Sequence, residues 1–488
     1  MSQYGRAAAP PAAGSIFVFG VVAVVGAFTV AQGLTNISFT YTMGAVAALI
    51  LFALAFVRTD FGIYVVIFSM LLSPQFGSKG AGVGAGRGVT FRTEDFVLLV
   101  IGLSWLAKTA VNKELNLIAR TPLNWPILTY IAVNLAATML GYMTGTISSW
   151  SGYFYVLKYV EYFVIYYMAV NNLRDREHAW RLIGAAFITA AIVSVIGLAQ
   201  VPSGERVSAP FEGEIGEPNT FGGYLLFMMA IAAGVAFETE SLRRRAQCLI
   251  LLGLMAVPFF FTLSRASYLG LIPAFLVIAR YTTRRRFVVG LILILFGLVL
   301  SPALIFVAPK AVKDRVTYTF KEEKGSDTVR VGKVAFDPST SARLISFKSA
   351  LDGFARRPIF GWGVTGFGFM DAQYARVLAE TGLVGLAAFL WLMWAVGRHA
   401  LDVYATRGDP EERGLVLGFL AGFAGLLVHG FGSNTFIIVR IMEPFWLITG
   451  IVMMIPALEA KERAVAAAAV AQKAAAAAPK KERAGARP

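Results

Sequence analysis

Apolar runs long enough to cross a bilayer recur along almost the whole chain, separated by short polar or glycine-rich breaks. A helix of about 20 apolar residues spans the hydrocarbon core. The pattern predicts spans near 14–34, 38–57, 61–76, 95–112, 124–142, 151–170, 180–200, 219–237, 246–263, 266–280, 287–308, 374–397, 413–431 and 435–456. One long stretch, 309–373, breaks the rhythm. Its first part, KDRVTYTFKEEKGSDTVRVGKVAFDPS, has no helical period and reads as irregular chain or short strands. Its second part, STSARLISFKSALDGFARRP, repeats Leu344, Phe347, Leu351 and Phe354 at helical spacing. Thr340 or Ser341 can cap that helix and Pro358 stops it. Such an amphipathic helix is expected to lie on the membrane surface. The alanine-rich tail favours a helix but offers nothing to build a core.

The expected architecture is therefore an all-α polytopic membrane protein. It has about fourteen transmembrane helices, twelve to fourteen, and one large loop containing an amphipathic helix. Its segments are 1–13 at the N-terminus, a bundle of about eleven spans over 14–308, the loop 309–373, further spans over 374–456, and a low-complexity tail 457–488. The first run is as long as a full span and has no small-residue cleavage signature behind it. It reads as a retained helix, not a signal peptide.

Composition agrees: 57% of the 488 residues are hydrophobic and 15% charged, and the mean hydropathy is +0.66. A soluble domain carries about 25% charged residues. The net charge of +15 would suit a nucleic-acid binder, but its distribution gives it another meaning. With the N-terminus inside, Arg58, Lys108, Lys113, Arg120, Arg174, Arg176, Arg243 to Arg245, Arg284 to Arg286, Arg398, Arg407 and Arg413 fall in inside loops. That is the positive-inside pattern, with both ends in the cytoplasm, and it removes the case for nucleic acid. Four segments with polar chemistry fall on the opposite side: 77–95, 201–219, the Ser264–Arg265 turn and 309–373. The single Cys248 excludes internal disulfides. His178, His399 and His429 are far apart in sequence, and no D-x-D motif suggests a metal or other cofactor.

An ionisable group inside a span costs about 2.5–3.5 kcal/mol or more unless paired or hydrated. Lys158 and Glu161 stand three apart and can pair on one helix face, as can Arg440 and Glu443. The second pair lies nearer the outside, where Arg440 could also serve a polar site. Arg376 and Glu380 are spaced i, i+4 and are expected to pair. Arg265 has no acid nearby in sequence. It either snorkels to headgroups or binds an anion there. Arg206 is a second candidate, with acids around it. Guanidinium groups match phosphate oxygens in a bidentate way. Asp371 stands before a helix whose Tyr374, Leu378, Gly382 and Gly385 follow it on one face. It is either a helix cap or a carboxylate at the water–membrane boundary able to act as a general base.

PIFGWGVTGFGF followed by DAQYARVLAETGLVGLAAFL resembles the signature of the O-antigen ligase and O-antigen polymerase superfamily. The segment from Arg206 to Leu225, with EPNTFGGYL, is similar to that superfamily's Arg-then-Pro-Asn segment, and TLSRASYLGL to its Ser-Arg turn. STSARLISFKSALDGFARRPIFGWG resembles the end of its large periplasmic loop. The motifs occur in the superfamily's order, over roughly residues 150 to 450. The resemblance implies a metal-independent, inverting GT-C-type glycosyltransferase of a bacterial inner membrane. It would act at the periplasmic face on an undecaprenyl-pyrophosphate-linked glycan, in membrane lipid, with a chain-length regulator as a further partner. Carried over, Arg206 and Arg265 match the pyrophosphate positions, and Arg343, Tyr374, Asn219 and Arg440 become substrate-binding candidates. Asp371, followed by Ala372, stands where ligases have a histidine followed by a polar residue. That departure keeps a base but favours a polymerase over a lipid A–core ligase. A lipid-linked glycan flippase or small-solute transporter is the alternative for so many spans.

Overall fold

The computed structural model describes residues 39–76, 91–111, 119–211, 216–282, 329–331, 334–335, 337–368, 370–406 and 408–477. The expected spans 14–34 and 287–308 lie outside these residues. Each of the other twelve apolar runs falls on a helix. They are α1 Phe39–Val57, α2 Thr59–Leu72, α3 Thr93–Val111, α4 Asn124–Met143, α5 Ser151–Asn172, α6 Arg176–Gln200, α7 Pro218–Glu238, α8 Leu242–Phe261, α9 Arg265–Tyr281, α11 Gln373–Thr406, α12 Pro410–His429 and α13 Val439–Ala477. The amphipathic helix is α10, Pro338–Arg356. Seven of them, α4, α6, α7, α8, α11, α12 and α13, are long and apolar enough to cross a membrane. The count of fourteen is thus not reached among the described residues. Helix α1 contributes a shorter apolar stretch, Thr42–Val57, α2 and α9 are short, and α3 and α5 carry charges within or at the edge of their apolar runs. Among the described residues, strands are two-residue pairs, Gln75–Phe76 with Phe91–Arg92 and Arg330–Val331 with Val334–Ala335. The second pair falls where short strands were expected.

The bundle is organised around α7, whose apolar window is 89% buried, the highest share of the seven. Its Gly234 lies against α12 so closely that an added Cβ would meet the Gly418 nitrogen at 2.3 Å. On α9, Gly270 faces Gly425 in the same way, with the Gly425 carbonyl 2.8 Å from such a Cβ. In lipid, where apolar burial gives helices little reason to associate, small residues of this kind permit close backbone packing. Helix α13 is fixed to α5 by Trp446, stacked 6.3 Å from Tyr162 and edge-on to Phe163 at 4.7 Å. It continues to Ala477, well past the expected end of the span at 456, with residues 461–472 exposed, so the start of the tail extends the helix.

The two ends of the bundle differ in chemistry. At one end, basic residues of the expected inside loops are paired: Arg176 with Glu412, Arg244 with Glu411, Arg413 with Glu238 at 3.3 Å and Arg174 with Asp60 at 2.5 Å. The other end gathers the first turns of α7, α9, α11 and α13 and the last turn of α12.

Helix α10 does not present its whole apolar stripe to one neighbour. Phe347 packs on Ala350, Met370, Ala372, Ala375 and Ala379. Leu344 and Leu351, expected on the same face, are exposed. Helix α11 is broken at Gly382, which has φ 64° and ψ −159° inside an otherwise helical run. At the break the preceding loop supplies what the helix loses. Leu383 and Val384 donate to the Pro358 and Ile359 carbonyls at 2.8 and 3.2 Å. Trp362 and Gly363 donate back to Ala379 and Glu380 at 3.0 and 2.8 Å.

Candidate active site

The site is assembled from helix ends. Ser264 caps α9 by accepting from the Ser267 amide, which sets Arg265 in the first turn. The preceding turn passes through Leu263 with φ 49°, a left-handed conformation that costs a β-carbon-bearing residue of order 1–3 kcal/mol. That turn exposes two carbonyls to Arg206, whose Nε donates to Thr262 O at 2.9 Å and whose Nη2 reaches Leu263 O at 3.4 Å. The same Nη2 contacts Asn219 Oδ1, in the first turn of α7, at 3.4 Å. Arg206 thus bridges Asn219 and the turn that precedes Arg265.

Arg265 is not an arginine without an acid. Its guanidinium forks onto Asp337, with Nη1 2.7 Å from Oδ2 and Nη2 3.0 Å from Oδ1. Asp337 precedes α10, is fully buried and also accepts from Thr340 Oγ1 at 2.6 Å. A partner 72 positions away leaves no signal in the local sequence. The pair also changes what a substitution would report. Arg265→Ala would strand a buried carboxylate, an effect of about 3–5 kcal/mol. A fall in melting temperature is expected with any loss of activity. Arg265→Ala combined with Asp337→Ala should recover most of the stability but not the activity. A double variant that remains as unstable as the single one would show that the pair is not the cause.

Asp371 lies two residues before α11, which begins at Gln373. Its carboxylate is 42% exposed and lies 3.6 Å from Arg343 Nη2, on the facing surface of α10. Gly432, in the turn after α12, lies between the two arginine systems: an added Cβ would sit 3.0 Å from Ala266 Cβ and 3.8 Å from Arg343 Nε. The peptide carrying Asp371 is held from below. Asn434 Nδ2 donates to Met370 O at 2.7 Å, the Gln373 amide donates to Gly430 O at 3.0 Å, and Gln373 Oε1 accepts from the Phe436 amide at 3.0 Å.

The remaining candidates have local duties. Tyr374 donates its hydroxyl to Leu427 O at 2.6 Å and packs on Phe431, 4.5 Å between ring centroids. Arg440 is fully buried and donates to Pro210 O at 2.8 Å and Ser73 O at 3.0 Å, tying the loop that carries Arg206 to α13. Arg376 and Glu380 pair at 3.0 Å as their spacing predicted. Glu380 also accepts from the Thr365 amide at 3.0 Å, and Arg376 lies 4.9 Å over the Tyr155 ring. Lys158 pairs with Glu161 at 3.2 Å and additionally with Asp95 of α3. Sequence reading gave no site role to Asp337, Gln373, Asn434 or His429. His429 was one of three histidines too far apart in sequence to link, yet it closes α12 inside this site.

The described residues thus form a multispan helical bundle with arginines and a carboxylate gathered at one end. Residues 250–390 match the family model described as O-antigen ligase. The resemblance to the O-antigen ligase and polymerase superfamily holds over that stretch, which runs from α8 into α11 and includes Arg265, Asp337, Arg343, Asp371 and the Gly382 break. With its apolar helices, this supports a bacterial membrane enzyme of O-antigen ligase or polymerase type. No curated protein matches the chain.

Proposed function

We propose that the protein is an inverting, metal-independent glycosyltransferase of the bacterial inner membrane. It polymerises undecaprenyl-pyrophosphate-linked oligosaccharide at the periplasmic face, in O-antigen or exopolysaccharide synthesis. The observation that carries this reading is the meeting of Asp371 with Arg343, beside the Arg206–Asn219 and Arg265–Asp337 pairs, at one end of the bundle. The acceptor hydroxyl oxygen attacks the anomeric carbon from the face opposite the leaving group. The bond from that carbon to the phosphate oxygen breaks, and Asp371 takes the hydroxyl proton. Arg206 and Arg343 face the departing pyrophosphate charge, where planar guanidinium forks suit phosphate oxygens. Arg265 joins them when its carboxylate partner yields to phosphate. Polymerisation is favoured over ligation because Asp371 stands where ligases have histidine.

The test is transfer by the purified protein in lipid nanodiscs given an undecaprenyl-pyrophosphate oligosaccharide. Products longer by whole repeat units are expected. No product, alongside movement of the same lipid across liposomes, would make the protein a flippase instead. In a deletion strain, single units still attached to their final lipid would mark a polymerase. Full-length chains left on the carrier would mark a ligase.

A further inference from the structure

Below Asp371 lies a set of buried polar atoms that the proposed chemistry does not use. Helix α12 ends at His429, and the chain turns through 430–438 into α13. His429 is fully buried, and its Nδ1 is 2.7 Å from Thr435 Oγ1. Its other nitrogen, Nε2, makes no well-aligned hydrogen bond, and the Asn219 main chain in the first turn of α7 is the polar group beside the ring. That edge of the ring faces the first turns of α7, where an added Cβ on Gly223 would lie 3.4 Å from Nε2. Gln373 is also fully buried; its Oε1 is used by the Phe436 amide, and Nε2 makes no hydrogen bond. Asn434 is 8% exposed; its Nδ2 is used by Met370 O, and Oδ1 makes no hydrogen bond. The main-chain partners fix both amide orientations, so the spare donor and the spare acceptor are assigned rather than arbitrary.

Leaving a buried polar atom without a partner costs about 1–3 kcal/mol. Three such atoms, on residues whose other atoms tie the 370–373 peptide and the 429–436 turn, call for a ligand. Its chemistry follows from theirs. Gln373 Nε2 only donates, Asn434 Oδ1 only accepts, and a neutral imidazole nitrogen does either. None is a fixed charge, which argues against phosphate; the guanidinium groups on the other flank suit that. A hydroxyl, which donates and accepts together, fits the set.

We propose that His429, Gln373 and Asn434 form a subsite for a hydroxyl group of the acceptor glycan. It places that sugar under Asp371. This rests on the glycosyltransferase reading above and adds the residues that select the acceptor. Glycan hydroxyl and trapped water share the same hydrogen-bond chemistry, so the experiment separates them.

Asparagine in place of histidine imitates Nδ1, and glutamine imitates Nε2. His429→Asn keeps the link to Thr435 and removes the spare atom; His429→Gln does the reverse. Transfer is measured with the full-length protein in nanodiscs at saturating undecaprenyl-linked donor. The varied acceptor is the repeat unit on a short-chain polyprenyl pyrophosphate. His429→Asn is expected to raise the acceptor KM about tenfold, roughly the weight of one hydrogen bond, with kcat little changed. His429→Gln, which keeps an atom at the Nε2 position, should show a clearly smaller rise. With wild-type protein, one of a series of monodeoxy acceptors should show the same rise, and His429→Asn should add nothing to it. The opposite order of the two variants would overturn the subsite and make His429 a strut for Thr435. So would a deoxy series that behaves uniformly like the parent acceptor, because the atoms would then hold only water. The deoxy series needs no variant, so misfolding of either one leaves the test decisive. Wild-type protein that transfers no glycan at all would instead refute the glycosyltransferase reading itself.

Discussion

Gly382→Ala is expected to abolish the native arrangement of α11 and, with it, all activity. Gly382 has φ 64° and ψ −159°, a conformation essentially reserved for glycine. A β-carbon there would lie 2.4 Å from Ile359 O and 2.7 Å from the Gly361 nitrogen. Those contacts are with backbone, so no side-chain rotation relieves them. The strain alone is of order 1–3 kcal/mol. Displacing the loop would also disturb the four main-chain hydrogen bonds across the break, each worth about 0.5–1.5 kcal/mol. The sum rivals the whole stability of an ordinary domain, about 5–15 kcal/mol. The variant should therefore yield little monodisperse protein in detergent, and what remains should melt far below wild type. Gly253→Ala is the control: Gly253 lies inside α8 with nothing within 4 Å of an added Cβ. Relieved of glycine's poor helix propensity, that variant should be equal to or slightly more stable than wild type. A Gly382→Ala protein as stable as the Gly253→Ala control would show that the break is not required.

The Gly382 break also marks the limit of what the sequence made legible. Apolar period and length located every helix the described residues contain, because each must cover its own backbone hydrogen bonds and present apolar side chains. The i, i+4 spacing gave the Arg376–Glu380 pair for the same local reason. Gly382 was visible as a glycine on the Asp371 face, but nothing nearby showed that a loop from Pro358 to Gly363 would replace the helical partners there. Contacts between distant segments were similarly hidden. Arg265 seemed unpaired because Asp337 is supplied by the start of another helix. Lys158 showed its neighbour Glu161 but not Asp95 of α3. Arg440 suggested Glu443 by spacing, whereas its donors reach the Pro210 and Ser73 carbonyls. His429 carried no signal at all: its meaning depends on three helices meeting at one end. Charge pattern identified the polar end of the molecule, and only the fold could say which residues there touch.

Asp371→Asn should reduce glycan transfer by at least about 100-fold, the usual weight of a positioned general base being about 10²–10⁴. Asparagine has the same shape and its Oδ1 can still accept from Arg343, but it cannot take a proton at neutral pH. The carboxylate is 42% exposed and its partner lies 3.6 Å away, so the ion pair contributes little to folding. Melting temperature should therefore stay close to wild type, in contrast with Arg265→Ala. Donor binding, measured as retention of undecaprenyl pyrophosphate, should also be nearly unchanged, because the pyrophosphate is assigned to the arginines. The loss should thus appear in kcat and not in the donor KM, as expected when the missing interaction belongs to the transition state. Asp371→His supplies the complementary arm: it replaces one base by the residue that ligases carry there, and should recover transfer above the asparagine variant. Near-normal turnover by Asp371→Asn would remove the base from this position. The carboxylate would then serve only to hold Arg343 against α11. A loss confined to the donor KM would likewise assign Asp371 to orienting Arg343 on the pyrophosphate. In either case the proton would have to leave through another group.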